Sequence, residues 1–369
     1  MFNPKKIFFT IVIYISALIL AAALFMGARE FQLVLKYGHG KKRVILEKYG
    51  SPFLFKAVPN SSEEYQFWKA PIKYNNVSVR RNEDTAPKPA EGTTRILAYG
   101  DSVTLGVNVS DDNTYPAFLE EIFSKFSKKK YEVLNMARGW SPAYYSFFIR
   151  EDIKALSPDK VIVQIELLND LSDDTLALTE GRDENNLPLK IHGSRNILSW
   201  HNTVLTGLYL TGHFYERTYL YTNWSRKYGN ELNKKNPNTF VNEEKGPNYF
   251  YTVGFDKSFM TQKNIQMTSF TMFRTLKGMQ DLCAKNDIEF LLLIIPSRKC
   301  YDDSPHRASA QGILAHAKNL AAQLGINYIC PFEDIYSGGG KDLYIDFCHL
   351  TPRGLQVVAT SLFKYYTKK

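Results

Sequence analysis

The stretch RILAYGDSV, residues 95–103, ends a short apolar run at Gly100 and then presents Asp101 and Ser102. A serine hydroxyl is a poor nucleophile until a neighbouring base takes its proton. Far downstream, YIDFCHLTPRG, residues 344–354, contains such a base in His349, because an imidazole titrates near neutrality. Asp346, three residues earlier, is placed to anchor the other ring nitrogen and hold the productive tautomer. Attack on an ester carbonyl would put negative charge on oxygen, which needs preorganised donors, each worth roughly 3 kcal/mol in related chemistry. Three candidates are the backbone N–H of Ser102, the backbone N–H of Gly139 in NMARGWSP, and the side-chain amide of Asn169 in ELLNDL. A glycine at 139 lets the backbone approach closely, and a helix starting at Ser102 would aim its positive end at the site. Each piece alone has an ordinary reading: a capping serine, a loop glycine, an Asn-Asp turn, a surface Asp/His pair. Their order along the chain argues for chemistry.

The elements that must position these residues alternate. RILAYG reads as a buried strand, TYPAFLEEIFSKFSKK as an amphipathic helix, YEVLNMA as a strand, AYYSFFIREDIKAL as a helix and DKVIVQIEL as a third strand. Later come the helix SFTMFRTLKGMQDLCAKND, the strand IEFLLLIIP, the helix ASAQGILAHAKNLAAQLG and the short strand INYICP. TPRGLQVVATSLFKYY follows as a last helix, with Thr351 as N-cap and Pro352 in its first turn. Alternation of this kind predicts an α/β fold whose five-stranded parallel sheet is covered on both faces. Ligands of such sheets bind at the carboxyl ends of the strands. Ser102, Gly139, Asn169, Asp346 and His349 all follow strands.

Beyond this pattern the chain divides into three parts. Residues 7–26, IFFTIVIYISALILAAALFM, carry no charge and are preceded by Lys5 and Lys6. A helix of that length spans about 30 Å. Residues 1–28 are therefore expected to form a single transmembrane anchor or a cleaved signal, an anchor being favoured, with the larger part outside the cytoplasm. Residues 29–93 read as an extension, closing in the Pro- and charge-rich linker RNEDTAPKPAEGTT. Residues 94–369 read as the catalytic domain, interrupted after the third strand by an aromatic-rich insertion, 172–257, expected to be helical and either a lid or a packed decoration. SGGGKD, residues 337–342, lacks phosphate-loop spacing and reads as a flexible loop near the site.

Composition excludes other classes. Apolar residues form 44% of the 369, so a large core is available, and the formal net charge of +9 comes without a nucleic-acid motif. Cys283, Cys300, Cys330 and Cys348 form no CxxC and no zinc spacing. They stand as buried thiols or as a bridge among the last three. His192, His201 and His213 show no ligand spacing. No cofactor or metal is called for. Arg138, Trp140, Asp170 and Cys348 flank the candidates and suit packing or solvation better than catalysis.

With these residues in place, the chain resembles the SGNH (GDSL-type) hydrolase superfamily. GDSVTLG resembles its first block, ARGWSPA its glycine block, LLNDL its asparagine block and DFCHLTPRG its closing Asp-x-x-His block. Leu167 stands where the asparagine block often has glycine, and Val103 where leucine gives the family its common name. The absence of GxSxG at Ser102 argues against an α/β-hydrolase elbow. The resemblance covers residues 94–369 and implies a flavodoxin-like three-layer α/β/α fold with strand order 2-1-3-4-5. It also implies ester hydrolysis or acyl transfer through an acyl-serine. Carried over by motif, Ser102 is the nucleophile, His349 the base and Asp346 its partner, with Ser102, Gly139 and Asn169 as oxyanion donors. Acyl or acetyl esters of carbohydrate, lipid or cell-envelope polymers are the expected substrates. An O-acetyltransferase using the same acyl-serine, and a non-catalytic binding module, are the alternatives.

Overall fold

The computed structural model describes Tyr14 and residues 43–45, 55–63, 72–137, 141–167, 170, 177–194, 262–303 and 307–368. Its centre is a parallel sheet of β1 (Thr93–Tyr99), β2 (Lys130–Asn135), β3 (Lys160–Glu166), β4 (Glu289–Ile295) and β5 (Tyr328–Ile329). The strands lie in the spatial order β5-β4-β3-β1-β2. In register, Leu97 of β1 faces Leu134 on one side and Val161 on the other, and Ile162 faces Leu291.

The central stretches of these strands are apolar because both faces are covered. Ile96, Leu97, Ala98 and Tyr99, Val161, Ile162, Val163 and Ile165, and Leu291 to Ile295 are all fully buried. The helices are α1 (Ser102–Leu105), α2 (Tyr115–Phe126), α3 (Pro142–Leu156), α4 (Gln262–Ala284), α5 (Arg307–Gln323), α6 (Phe332–Gly338) and α7 (Pro352–Thr367). α2 packs on α7, while α3 packs on α4 and α4 on α5. Phe123 of α2 stacks on Tyr131 at 3.7 Å between centroids and meets Phe363 of α7 edge-on at 5.5 Å. Thr351 caps α7 by accepting from Gly354 N at 3.1 Å.

The buried cation of β1, Arg95, is accounted for by bonding. Arg95 is 1% exposed, and its Nε donates to Glu132 at 2.6 Å while Nη1 donates to the carbonyls of Pro87 and Leu156. Its backbone N donates to the Asp159 carboxylate at 2.7 Å. These bonds fix the amino end of β1, opposite the end where Ser102 emerges.

Two expectations are modified. SGGGKD is ordered rather than flexible: α6 runs through Gly338, a 3-10 turn covers Gly340–Leu343, and Gly340 and Leu343 are buried. The physical reason is that Leu343 packs under α7, with its carbonyl accepting from Thr351 N. The described part of the insertion after β3, residues 177–194, is not helical but an antiparallel hairpin, Ala177–Arg182 with Pro188–Ser194. Asp183 closes its turn by accepting from Asn185 N and Leu187 N, and Arg150 of α3 pairs with the same carboxylate at 2.9 Å. Residues 195–261 lie outside the described residues. All four cysteines are free thiols. Burial pushes Cys283 and Cys300 up to about 12 and Cys330 up to about 11. The anchor expected over residues 7–26 also falls outside the described residues, apart from Tyr14; among the described residues no helix is long and apolar enough to cross a membrane.

Because Leu97 is fully buried in a central strand, Leu97→Ala is expected to cost about 2–5 kcal/mol of stability. Tyr336→Ala, at a side chain 55% exposed, should stay within about 0.5 kcal/mol. Urea unfolding midpoints of the two variants check the contrast.

Candidate active site

β1 delivers Ser102 through a tight junction. A Cβ on Gly100 would lie 2.0 Å from Thr104 Oγ1 and 2.4 Å from Gln164 Oε1, so only glycine lets the chain turn here over its own next residues. Thr104 Oγ1 in turn donates to Gln164 Oε1 of β3 at 2.8 Å. Asp101 is the N-cap of α1, and its buried carboxylate accepts from Val103 N at 2.9 Å. α1 is a single turn, Ser102–Leu105, closed by Gly106 in the left-handed region with φ 77. A helix this short carries little macrodipole. Asn135, the last residue of β2, donates from Nδ2 to Thr104 O at 2.7 Å and ties α1 to the neighbouring strand.

The second half of the site is the turn between Tyr344 and Leu350, whose ends pair as an antiparallel bridge. Ile345 N donates to His349 O at 2.7 Å, and Asp346 Oδ1 accepts from Cys348 N at 3.0 Å and from His349 N at 2.8 Å. The turn is fastened to the end of β4, where Arg298 N donates to Phe347 O at 3.2 Å and Tyr344 Oη to Pro296 O at 2.6 Å. This explains how a turn so far along the chain reaches the carboxyl edge of the sheet.

The two halves meet. His349 Nδ1 lies 2.7 Å from Asp346 Oδ2, and His349 Nε2 lies 2.8 Å from Ser102 Oγ. A carboxylate only accepts, so Nδ1 carries the proton and the Nε2 lone pair faces the serine. Side-chain exposure is 12% for His349 and 16% for Asp346, and Ser102 is also partly exposed, so a substrate can reach the hydroxyl. Burial alone would lower the His349 pKa, but the hydrogen bond and charge of Asp346, aided by Asp101, outweigh it and raise it above the ordinary value. For Asp346, burial acts to raise the pKa, and the bonds from His349 and Cys348 overcome it, leaving the carboxyl below its usual range. The pair is thus a carboxylate beside an imidazole whose protonated form is stabilised, as proton transfer from serine requires.

The structure therefore brings together Ser102, Asp346 and His349. Gly139 and Asn169, expected as oxyanion donors, lie outside the described residues, as do Arg138 and Trp140. Residues bracketing Asn169 are described: Leu167 is buried, and Asp170 Oδ2 accepts from Glu166 N at 2.6 Å while Oδ1 accepts from Tyr145 Oη at 3.2 Å. Asp170 thus ties the end of β3 to α3. Cys348 is buried, with Sγ 3.6 Å from His349 Nδ1. Sequence reasoning missed Gln164, Thr104 and Asn135 as supports of the nucleophile. Polar residues inside strand-like and helix-like runs were the available signal, since a buried polar group needs a partner.

Among the described residues, one group offers three possible metal-ligating side chains, Asp346, Cys348 and His349, with ligand atoms within 4.8 Å of one another. Its Asp346–His349 pair is already hydrogen-bonded, and burial, with nearby carboxylates, holds the Cys348 thiol well above its ordinary pKa. The group is arranged for proton transfer, not as a cage for a cation.

No protein-family model matches the chain, and no curated relative matches it. Solved structures similar to it include a GDSL-like lipase from Bacteroides thetaiotaomicron VPI-5482, 15% identical, covering 77% of this chain and 92% of that one, with a TM-score of 0.37. The acetyl xylan esterase AlAXEase is 13% identical, covering 73% and 98%, with a TM-score of 0.40. A catalytic mutant of the acetylxylan esterase Axe2 from Geobacillus stearothermophilus is 11% identical, covering 73% and 93%, with a TM-score of 0.41.

The raised pKa has a direct readout. His349 is expected to titrate above the ordinary histidine value of about 6.5, and Asp346→Asn to bring the midpoint down by removing the charge. NMR of the ring protons across pH measures both; a wild-type midpoint below that of a free histidine would contradict the electrostatic account.

Proposed function

We propose that this chain is an SGNH-type serine ester hydrolase. The observation that carries the reading is the alignment Ser102 Oγ to His349 Nε2 at 2.8 Å and His349 Nδ1 to Asp346 Oδ2 at 2.7 Å. In the first half-reaction His349 takes the Ser102 proton as Oγ attacks the ester carbonyl carbon. Negative charge gathers on the carbonyl oxygen, next to the Ser102 N–H; Gly139 N–H and the Asn169 amide are proposed to complete that pocket. Collapse breaks the bond to the alcohol oxygen, which receives the proton from His349, and an acyl-serine remains. Water then attacks, again with His349 as base, and releases the acid. Asp346 stays ionised throughout, as its lowered pKa requires.

Acyl or acetyl esters of carbohydrate, lipid or cell-envelope polymers are the substrate class supported by the sequence resemblance. Transfer of the acyl group to a sugar hydroxyl would use the same acyl-serine and differ only in the second acceptor. The uncharged run at residues 7–26 supports a chain anchored in a membrane with this domain outside the cytoplasm.

The test is hydrolysis of an aryl acetate by the full chain, with and without an acetylatable glycan, together with labelling by a fluorophosphonate. Ser102→Ala is expected to abolish labelling and lower kcat at least about 10³-fold. Asp346→Asn should lower kcat about 10²- to 10⁴-fold with the fold intact. Because the base must be neutral, wild-type kcat/KM should rise with pH through the raised His349 pKa. A correctly folded protein that neither labels nor hydrolyses would exclude the reading. Product acylated on the glycan, in place of free acetate, would select transfer.

A further inference from the structure

The extension just before the linker contains a heavily bonded buried cation close to the nucleophile. The Arg80 side chain is 0% exposed. Its Nε donates to Asp111 Oδ1 at 2.7 Å, its Nη1 to Gly106 O at 2.8 Å and also to Leu105 O, and its Nη2 to Val109 O at 2.7 Å. The three carbonyls belong to the end of α1 and the loop that leaves it. Arg80 N also donates to Asn135 O at 3.3 Å, the residue whose side chain holds Thr104 O.

A one-turn helix cannot sustain itself, because nucleation costs more than one or two hydrogen bonds return. Within α1 and its caps the bonds are few: Leu105 N to Asp101 O, Gly106 N to Ser102 O and Val103 O, Val107 N to Ser102 O, and Val103 N to the Asp101 carboxylate. The carbonyls at its far end need outside donors. A guanidinium supplies several from one rigid plane, a fork that an ammonium does not reproduce. Arg80 is itself held. Asn75 Oδ1 accepts from Val77 N and Val79 N, and its Nδ2 donates to Glu83 O and Thr85 Oγ1, each at 2.8 to 3.1 Å. Asn76 and Thr85 add reciprocal bonds across the same loop.

The geometry points to Arg80 as a positioning residue for Ser102: it clamps the carbonyl end of the turn whose amino end presents the hydroxyl to His349. Its catalytic consequence rests on the ester-hydrolase reading above. The residue touches no reacting atom and acts through α1. Segment 75–85 is then part of the catalytic unit, and a domain cut at residue 94 would lack the clamp.

The experiment compares full-length Arg80→Ala and Arg80→Lys with wild type and with Arg81→Ala, whose neighbouring guanidinium pairs with Glu120 instead. Active sites are counted by the fluorophosphonate end point, so unfolded protein is discounted. Per active site, both Arg80 variants are expected to lose roughly 10- to 100-fold in kcat and in labelling rate, with KM little changed, since a displacement of about 1 Å can cost that much. Millimolar N-ethylguanidinium should restore part of the Arg80→Ala rate and none of the Ser102→Ala rate. Amide exchange at Gly106 and Val107 should quicken in both Arg80 variants but not in Arg81→Ala. Wild-type rates per labelled site, or unchanged exchange at these amides, would overturn the proposal. If wild type itself neither labels nor hydrolyses, the esterase reading fails, and the exchange measurement alone still decides whether Arg80 holds the Ser102 turn.

Discussion

A neutral imidazole must sit within hydrogen-bonding distance of a hydroxyl before that hydroxyl can attack anything. Here the two groups are separated by 247 residues of chain and meet at 2.8 Å. Neither half is free to drift. Ser102 follows the buried carboxyl end of β1 through a glycine junction that tolerates no side chain, and His349 sits in a turn fastened to the end of β4. Since β1 and β4 are both bonded to β3, the sheet acts as the ruler that sets the distance. A shift of one strand register would move one half by about 3.3 Å and separate the pair.

Around this contact, the polar groups of the interior work as braces. Gln164 sits in the middle of an apolar strand, where its carbonyl oxygen receives the Thr104 hydroxyl beneath the nucleophile turn. Asn135, at the end of β2, donates its amide to the Thr104 carbonyl, and Asp170 ties the end of β3 to α3. Buried hydrogen bonds of this kind add little net stability, but leaving one partner unsatisfied is expensive. They therefore favour one arrangement of the site over nearby alternatives. The Asp346 carboxylate is the electrostatic counterpart, with two backbone donors and one imidazole converging on it.

How much could be read in advance depended on whether a residue's role was local or long-range. The strands, their helices and the Thr351 cap were legible, because apolar runs bounded by Gly, Pro and capping residues are local signals. Ser102, Asp346 and His349 were legible because strand ends are where a parallel sheet places ligands. Arg80 was not: it ends a short polar run, NNVSVR, in the extension just before the linker. Nothing in its neighbours along the chain tells that its guanidinium is buried against α1. SGGGKD misled in the opposite direction. Its glycines read as flexibility, while the structure uses the small residues to pack a 3-10 turn beneath α7.

The sequence by itself determined the alternation of strands and helices and the types of reacting group, since both follow from hydrophobic period and side-chain chemistry over short spans. Only the tertiary structure decided that the serine, imidazole and carboxylate align, that the imidazole pKa is raised and that a buried guanidinium closes the nucleophile turn. The reason is that the serine–imidazole distance and the burial of these groups arise between segments far apart in the chain, the Asp346–His349 pair, three residues apart, being the local exception.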